Sequence, residues 1–333
     1  MSVNQTRIIV LVLCCLLSGS GYAEQTVATG LKGSYTRNGR IHVGVFGEPD
    51  GPPITTGPAD MKPSWSKTGD MLVFFRVTRF AAAIPDWKTA ICVVNTDGTH
   101  FRMLTDGTHT DFNPTWTRDG SNQIVFNRRN PDVENGYAVM MTGPGSKPGE
   151  EQTVSGQGYF FTYAFSCLKD GRMFVGASRE PADDGGLPAN GGYFLMTPGR
   201  AGRAKYEPIE CDLAQKGMLD RVSISPDEKK ICFELQQGWG EYRYPGRALY
   251  IADFDARQPA VTNPKTIANE TFDANISYLY PRWTRAQSAV VYHCNKTGRN
   301  QLYLYRLADG STTRVSTDPN ADYMFAHGEA TPK

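Results

Sequence analysis

Long apolar runs are almost absent from this chain. The one that stands out, Ile8–Leu17, is too short to span a bilayer, which takes about 20 apolar residues. No later stretch could span one. Charge of one sign is equally scarce, with Lys+Arg 35 against Asp+Glu 34 and a formal charge of +1. That balance gives no bulk attraction to polyanions, so no nucleic-acid partner is expected. Of the seven cysteines, Cys14 and Cys15 lie near the start, while Cys92, Cys167, Cys211, Cys232 and Cys294 are widely scattered. No C-x-x-C pair exists, which excludes the usual zinc and redox motifs. The histidines are His42, His100, His109, His293 and His327, and no two have metal-ligand spacing. There is no G-x-S-x-G, no phosphate loop and no dinucleotide fingerprint. Helical periodicity is missing too, apart from one turn around Asp212–Gly217.

What is present begins with a leader. One positive charge in Met1–Arg7, the apolar run, and small residues up to Ala23 form the layout of a signal peptide over residues 1–23. The residues before Cys14 and Cys15 are not those of a lipobox. Residues 24–333 are then expected to be exported, periplasmic or secreted, with no membrane span once the leader is cleaved. The exported compartment permits one disulfide among the remaining cysteines.

The dominant pattern is a repeat. Asp111–Phe126 reads DFNPTWTRDGSNQIVF, Asp60–Phe74 reads DMKPSWSKTGDMLVF, and Tyr278–Tyr292 reads YLYPRWTRAQSAVVY. Weaker copies run over Thr162–Gly176 and Leu219–Phe233. Their anchors, Pro63, Pro114, Phe165, Val222 and Pro281, stand roughly 50 to 60 residues apart, a period of solenoids, propellers or arrays. Inside each unit an Asp-Gly-type turn follows the anchor, then short apolar runs separated by further turns. Gly 34 and Pro 21 suit a chain of many turns. Four short strands per unit make a β-propeller blade. Lys32–Phe46 and Pro53–Gly57 resemble the later strands of a blade, and Asp322–Pro332 resembles a first strand. The expected fold is therefore all-β: a six-bladed β-propeller of four-stranded blades, its ring closed by the N- and C-terminal segments, with seven blades as the alternative. Trp65, Trp116 and Trp283 are expected to pack between blades.

The pattern D-x-x-P-x-W-S-x-D-G, and Asn95–Gly107 reading NTDGTHFRMLTDG, resembles the TolB-like propeller family with its PD40-type, WD40-like repeats. The resemblance covers nearly all of residues 24–333. The units at Asp60 and Asp111 fit closely, that at Tyr278 less so, and those at Thr162 and Leu219 weakly. The N-terminal α/β domain that TolB carries has no counterpart here.

In a propeller, the second-to-third-strand loops and the blade-to-blade loops share one face. The former are long here: Thr78–Thr89, Arg128–Gly136, Arg179–Gly192 and Gln236–Arg247. Long loops on one face mark a binding face. Its candidate ligand-binding residues are Arg79, Trp87, Arg128, Arg129, Arg179, Trp239, Tyr242 and Arg243, the alternative being solvated spacers. Asp60, Asp111 and Asp322 occupy one repeat position and are expected at the channel mouth. Three neighbouring carboxylates there would either hold Ca²⁺ or Mg²⁺ or cap their own turns.

The function expected is binding of a protein or glycan through the long-loop face and channel mouth. The alternative is a carbohydrate-active enzyme acting as a polysaccharide or oligouronate lyase. Some propellers of similar fold are such lyases, with a histidine cluster and a metal in the channel. The corresponding positions here are Asp60, Asp111, Thr162, Leu219, Tyr278 and Asp322. Only His293, Tyr278 and Arg128 offer a base and a carboxylate neutraliser for uronate elimination.

Overall fold

Short runs rich in Val, Ile, Phe and Tyr, each bounded by Asp, Asn or Gly, fold as strands. The computed structural model describes residues 28–81, 87–129, 136–180, 191–211, 213, 217–236, 247–269 and 276–328. The leader 1–23, with Cys14 and Cys15, lies outside the described residues, as does most of the turn expected at 212–217. Among the described residues no helix is long and apolar enough to cross a membrane.

The strands come in sets. A hairpin of β1 (Lys32–Arg37) and β2 (Arg40–Val45) opens the chain. One sheet then takes β3 (Asp60–Trp65), β4 (Met71–Arg79), β5 (Lys88–Asn95) and β6 (Arg102–Met103) in that order. The next two sets follow the same plan. They are β7 (Asp111–Trp116), β8 (Ile124–Arg129), β9 (Tyr137–Thr142) and β10 (Gln152–Thr153), then β11 (Phe161–Cys167), β12 (Met173–Ser178), β13 (Gly192–Thr197) and β14 (Lys205–Pro208). One parallel pair, Phe161 with Tyr137, joins those two sets. A sheet of β15 (Glu210–Cys211), β16 (Met218–Ile224), β17 (Lys230–Gln236), β18 (Arg247–Asp255) and β19 (Ala260–Ala268) follows. Then come β20 (Tyr278–Trp283), β21 (Ala289–Cys294), β22 (Gln301–Arg306) and β23 (Thr312–Arg314). The last strand, β24 (Tyr323–Gly328), returns to pair with β1, Gly33 lying opposite Gly328. His42 bridges to Pro53, where the edge strand of this first sheet was expected.

Both faces of these sheets are buried, so the strands read as near-continuous apolar runs. In β4, Leu72 and Phe74 pack with Ile41 and Trp65 on one side, while Val73, Phe75 and Val77 pack with Trp116 and Phe126 on the other. Each such side chain, fully buried, contributes about 1.5–3 kcal/mol. The next cores join Val125 to Val175, Phe174 to Phe233, Leu249 to Tyr292, and Val291 to Tyr35. Tyr35 belongs to the first sheet, so the succession of cores closes on itself. The first strands of the sets, β3, β7, β11, β16, β20 and β24, also touch in succession, and β24 touches β3. They surround a common axis.

Trp65, Trp116 and Trp283 lie between sheets as expected. Each indole N–H donates to a carbonyl of the neighbouring sheet: Trp65 to His327 at 2.9 Å, Trp116 to Ser64 at 3.1 Å, Trp283 to Ser223 at 3.0 Å. In the Asp-Gly turns the aspartate accepts the N–H two residues on, as in Ser121 to Asp119 at 3.0 Å and Thr99 to Asp97 at 2.9 Å. Gly120 and Gly98 take the left-handed conformation that these turns require (φ 87 for both). No disulfide joins any two of the five described cysteines. Burial pushes the Cys92 and Cys167 thiols up to about 12, which leaves them unreactive.

Candidate functional site

The first strands are not regular. Five of them carry a bulge at the residue before the anchor, held in the left-handed region: Lys62 (φ 58), Asn113 (φ 50), Arg221 (φ 53), Tyr280 (φ 54) and Phe325 (φ 55). Outside glycine this conformation is uncommon and costs about 1–2 kcal/mol per residue. A bulge re-aims a side chain, and bulges gather beside functional sites. Here they send five side chains toward the axis. β11 is the exception; its register slips at Phe165 with no left-handed residue.

The re-aimed side chains meet. Lys62 Nζ stands 4.0 Å from the centre of the Tyr280 ring and 5.8 Å from that of Phe325. Arg221 lies 4.8 Å from the same Tyr280 ring and 5.9 Å from Tyr163. Asn113 donates to the Tyr163 hydroxyl, which also receives Arg221 Nη1 at 3.3 Å. His293 stacks on Tyr280 with centroids 5.4 Å apart. Arg221, Tyr280, Arg282 and Phe325 keep some exposed surface although they line the axis, so the axis is not filled.

Charge in this cluster is unbalanced. Asp220 pairs with Arg221 at 3.1 Å and with Arg247 at 3.3 Å, and Arg247 also holds Glu234. Glu234 further accepts the Tyr280 N–H at 2.6 Å. Two carboxylates thus face two arginines, and Lys62 and Arg282 are left over. Burial works against the Asp220 charge, but Arg221 and Arg247 outweigh it and hold its carboxyl low. Burial pushes Glu234 up, against the pull of Arg247. Lys62 is 6 % exposed, and no described residue offers it a hydrogen-bond acceptor. Burial, then repulsion from Arg221 and Arg282, takes its ammonium well below the usual lysine range. Burial lowers Arg282 as well. His293 is driven by burial down to about 3, and its Nδ1 accepts the Phe325 N–H at 3.3 Å, so it is neutral with its proton on Nε2.

At the Asp-Gly end two arginines brace the turns. Arg118 donates to Pro226 O at 3.0 Å and Ser225 O at 3.3 Å, joining the β7 and β16 sets. Arg285 donates to Ser66 O and to Lys67 O at 3.1 Å, joining the β20 and β3 sets.

The residues singled out from sequence are spread over several environments. Asp60 is held by Arg76 at 2.6 and 2.9 Å, and Asp111 by Arg128 at 2.7 and 2.9 Å. Asp322 is not their equivalent. Counting from the β24 bulge at Phe325–Ala326, the matching residue is Tyr323, one position later, and Asp322 sits outside the strand accepting Asn300 N at 3.1 Å. Among the described residues no three Asp, Glu, His or Cys side chains gather as a metal site. Arg128 also pairs with Glu151 at 2.9 Å, so its charge is compensated twice. Arg79 and Arg179 are exposed, Arg179 lying 5.2 Å from the Tyr159 ring. Trp87 packs edge-on to Phe80 and donates to Ala81 O at 3.0 Å. Arg129 is half-buried at the end of β8. Tyr278 leans on Tyr292 beside the inter-sheet core, while His293 is buried at the axis. Trp239, Tyr242 and Arg243 lie outside the described residues.

Lys62, Asn113, Arg221, Tyr280, Arg282 and Phe325 did not emerge from the sequence. Their signal was positional: Lys62, Asn113, Arg221 and Tyr280 directly precede an anchor, where a scaffold explanation accounts for Pro and Trp but leaves the preceding residue free to vary.

Solved structures share this architecture at low identity. TolB from Acinetobacter baumannii is 12% identical with a TM-score of 0.62, covering 90% of this chain and 67% of that one. A putative TolB from Agrobacterium tumefaciens is 11% identical with a TM-score of 0.53, over 92% of this chain and all of that one (100%). A chain of a nidogen/laminin complex is 9% identical with a TM-score of 0.56, over 90% and 98%. No family model matches the chain, and no curated protein matches its sequence. These likenesses show the fold, a β-propeller of the kind found in TolB; a fold does not carry a function with it.

Proposed function

We propose that this chain is an exported, six-bladed propeller, its first blade built from both ends of the described chain, that binds a protein or glycan ligand through its long-loop face and channel mouth. The six-blade reading rests on the closed succession of cores and of first strands. The binding reading rests on one observation: five bulged strands aim cationic, amide and aromatic side chains at an axis that they do not fill. Such strain persists where the surrounding structure fixes it, and it clusters at ligand sites. The connections after β4, β8, β12 and β17 leave at the end where the first strands begin, opposite the turns braced by Arg118 and Arg285.

The lyase reading has less support. Its base, His293, is lowered to about 3 and is therefore weak, and its neutraliser, Arg128, is already paired with Asp111 and Glu151. The test is to offer the immobilised protein a panel of acidic oligosaccharides and envelope proteins, while following ultraviolet absorbance from unsaturated sugar. Retention that weakens in Arg79→Ala or Arg179→Ala supports the binding reading. A rise in absorbance replaces it with the lyase, and no retention across the panel removes it.

A further inference from the structure

The axial cluster carries more donors than acceptors. Lys62 Nζ lies over the Tyr280 and Phe325 rings and, although it feels the charges of Asp220 and Glu234, it makes no hydrogen bond to a described residue; nor does the Arg282 side chain. The buried Arg221 Nε is also without one. These three cations stand close enough to repel each other's charge. A buried cation without an acceptor is expensive, and proteins seldom keep one without use. Replacing Lys62 by an apolar residue would remove that cost, so its presence is not explained by stability.

We infer that the propeller axis is an oxyanion subsite, in which Lys62 and Arg282 bind a carboxylate or phosphate group and Arg221, already anchored by Asp220, offers its free Nε. An anion there would supply the missing acceptors and balance the two unmatched charges. Tyr280, Phe325 and Tyr163 would flank the body of the ligand and, by excluding water, strengthen each contact. The arrangement is two cations of different shape around aromatic faces, which suits one oxyanion on an apolar or sugar-like body. This rests on the binding reading above and names the chemistry its ligand must carry.

An anion also changes the protonation of the site. Burial and its cationic neighbours lower Lys62, and a bound negative charge would raise it again, so binding takes up protons.

The experiment uses the purified full chain, with sodium galacturonate and inorganic phosphate as separate probes against sodium chloride at equal ionic strength. Calorimetry in two buffers of different ionisation heat reads affinity and proton uptake, and a thermal melt reads stability. The expected result is saturable binding of at least one probe with net proton uptake. Tighter galacturonate identifies a carboxylate ligand, and tighter phosphate a phosphate one. Lys62→Met should weaken binding about ten- to hundredfold, the worth of a charge-assisted hydrogen bond, with the melting temperature unchanged or higher. Arg282→Gln should weaken it similarly, and it serves as the second variant if Lys62→Met does not fold. Neither probe binding beyond chloride overturns the inference, as does unaltered affinity in both variants. If the panel of larger ligands is retained while these probes fail, the binding reading stands and the oxyanion subsite falls. Probe binding without any retained partner has the opposite meaning.

Discussion

Arg128 closes on Asp111 with both arms of its guanidinium, Nε to Oδ1 at 2.7 Å and Nη2 to Oδ2 at 2.9 Å, and the two residues are direct partners across β7 and β8. Asp60 and Arg76 repeat the arrangement at the equivalent place in β3 and β4. Asp111 is fully buried, so removing only the arginine strands a charge. Arg128→Met is expected to cost about 3–5 kcal/mol in urea unfolding. Adding Asp111→Leu should recover most of that loss, because well-packed apolar residues replace buried ion pairs at little cost. Since the arginine occupies the carboxylate, added Ca²⁺ or Mg²⁺ should leave the melting temperature of the parent unchanged.

The joint between the two ends of the described chain depends on Asp50. Tyr35 donates to it at 2.5 Å from β1, Tyr323 donates to it from β24, and Arg37 lies 3.2 Å away. One carboxylate thus fastens the strand pair that closes the ring. Asp50→Ala removes two charge-assisted hydrogen bonds and should destabilise the protein by about 3 kcal/mol. Limited proteolysis should then release the β1–β2 segment before any other, whereas cleavage first within β3–β6 would show that Asp50 is not the fastening.

Much of this was readable in the sequence, and the parts that were not have physical reasons. Pro63, Trp65, Pro114, Trp116 and Trp283 announced the repeat because the same packing problem recurs between every pair of sheets. The turns announced themselves because an Asx side chain and a left-handed glycine act locally. The aspartates were harder. A side chain at a given repeat position shows its type but not its partner, and Arg76 and Arg128 stand opposite Asp60 and Asp111 only once the strands are in register. Asp322 was misplaced because Phe325 and Ala326 replace the usual anchor, and one residue of error moves a side chain out of the strand. The axial cluster was hidden most deeply. Lys62 and Arg221 belong to no motif, and only the bulge turns them inward.

Gly33 of β1, paired with Gly328 of β24, packs against the buried ring of Phe46. A Cβ built on Gly33 would lie 2.1 Å from the tip carbon of that ring, and Phe46 is 1% exposed with no room to retreat. Gly33→Ala should cost about 1–3 kcal/mol as overpacking. Trimming the ring with Phe46→Leu in the same chain should return part of it, so a double variant less stable than the sum of both single changes would contradict this contact.

His293 gives the fold an acid sensitivity whose sign can be worked out. Its ordinary value is 6.5 and burial lowers it to about 3 in the native state, where its Nδ1 must stay free to accept the Phe325 N–H. Between those values the unfolded chain binds a proton that the native chain refuses. Native stability from this group is therefore complete above pH 6.5 and is lost as pH falls toward 3. The slope is about 1.4 kcal/mol per pH unit, or about 2 kcal/mol by pH 5. His327, half-buried and lowered by loss of solvation and by Arg282 and Arg285, adds to the loss in the same direction. His293→Gln keeps an acceptor for the backbone N–H but cannot titrate. Urea midpoints of this variant should fall less steeply between neutral pH and pH 5 than those of the parent, while a parallel pair of curves would show that the histidine is protonated equally in both states.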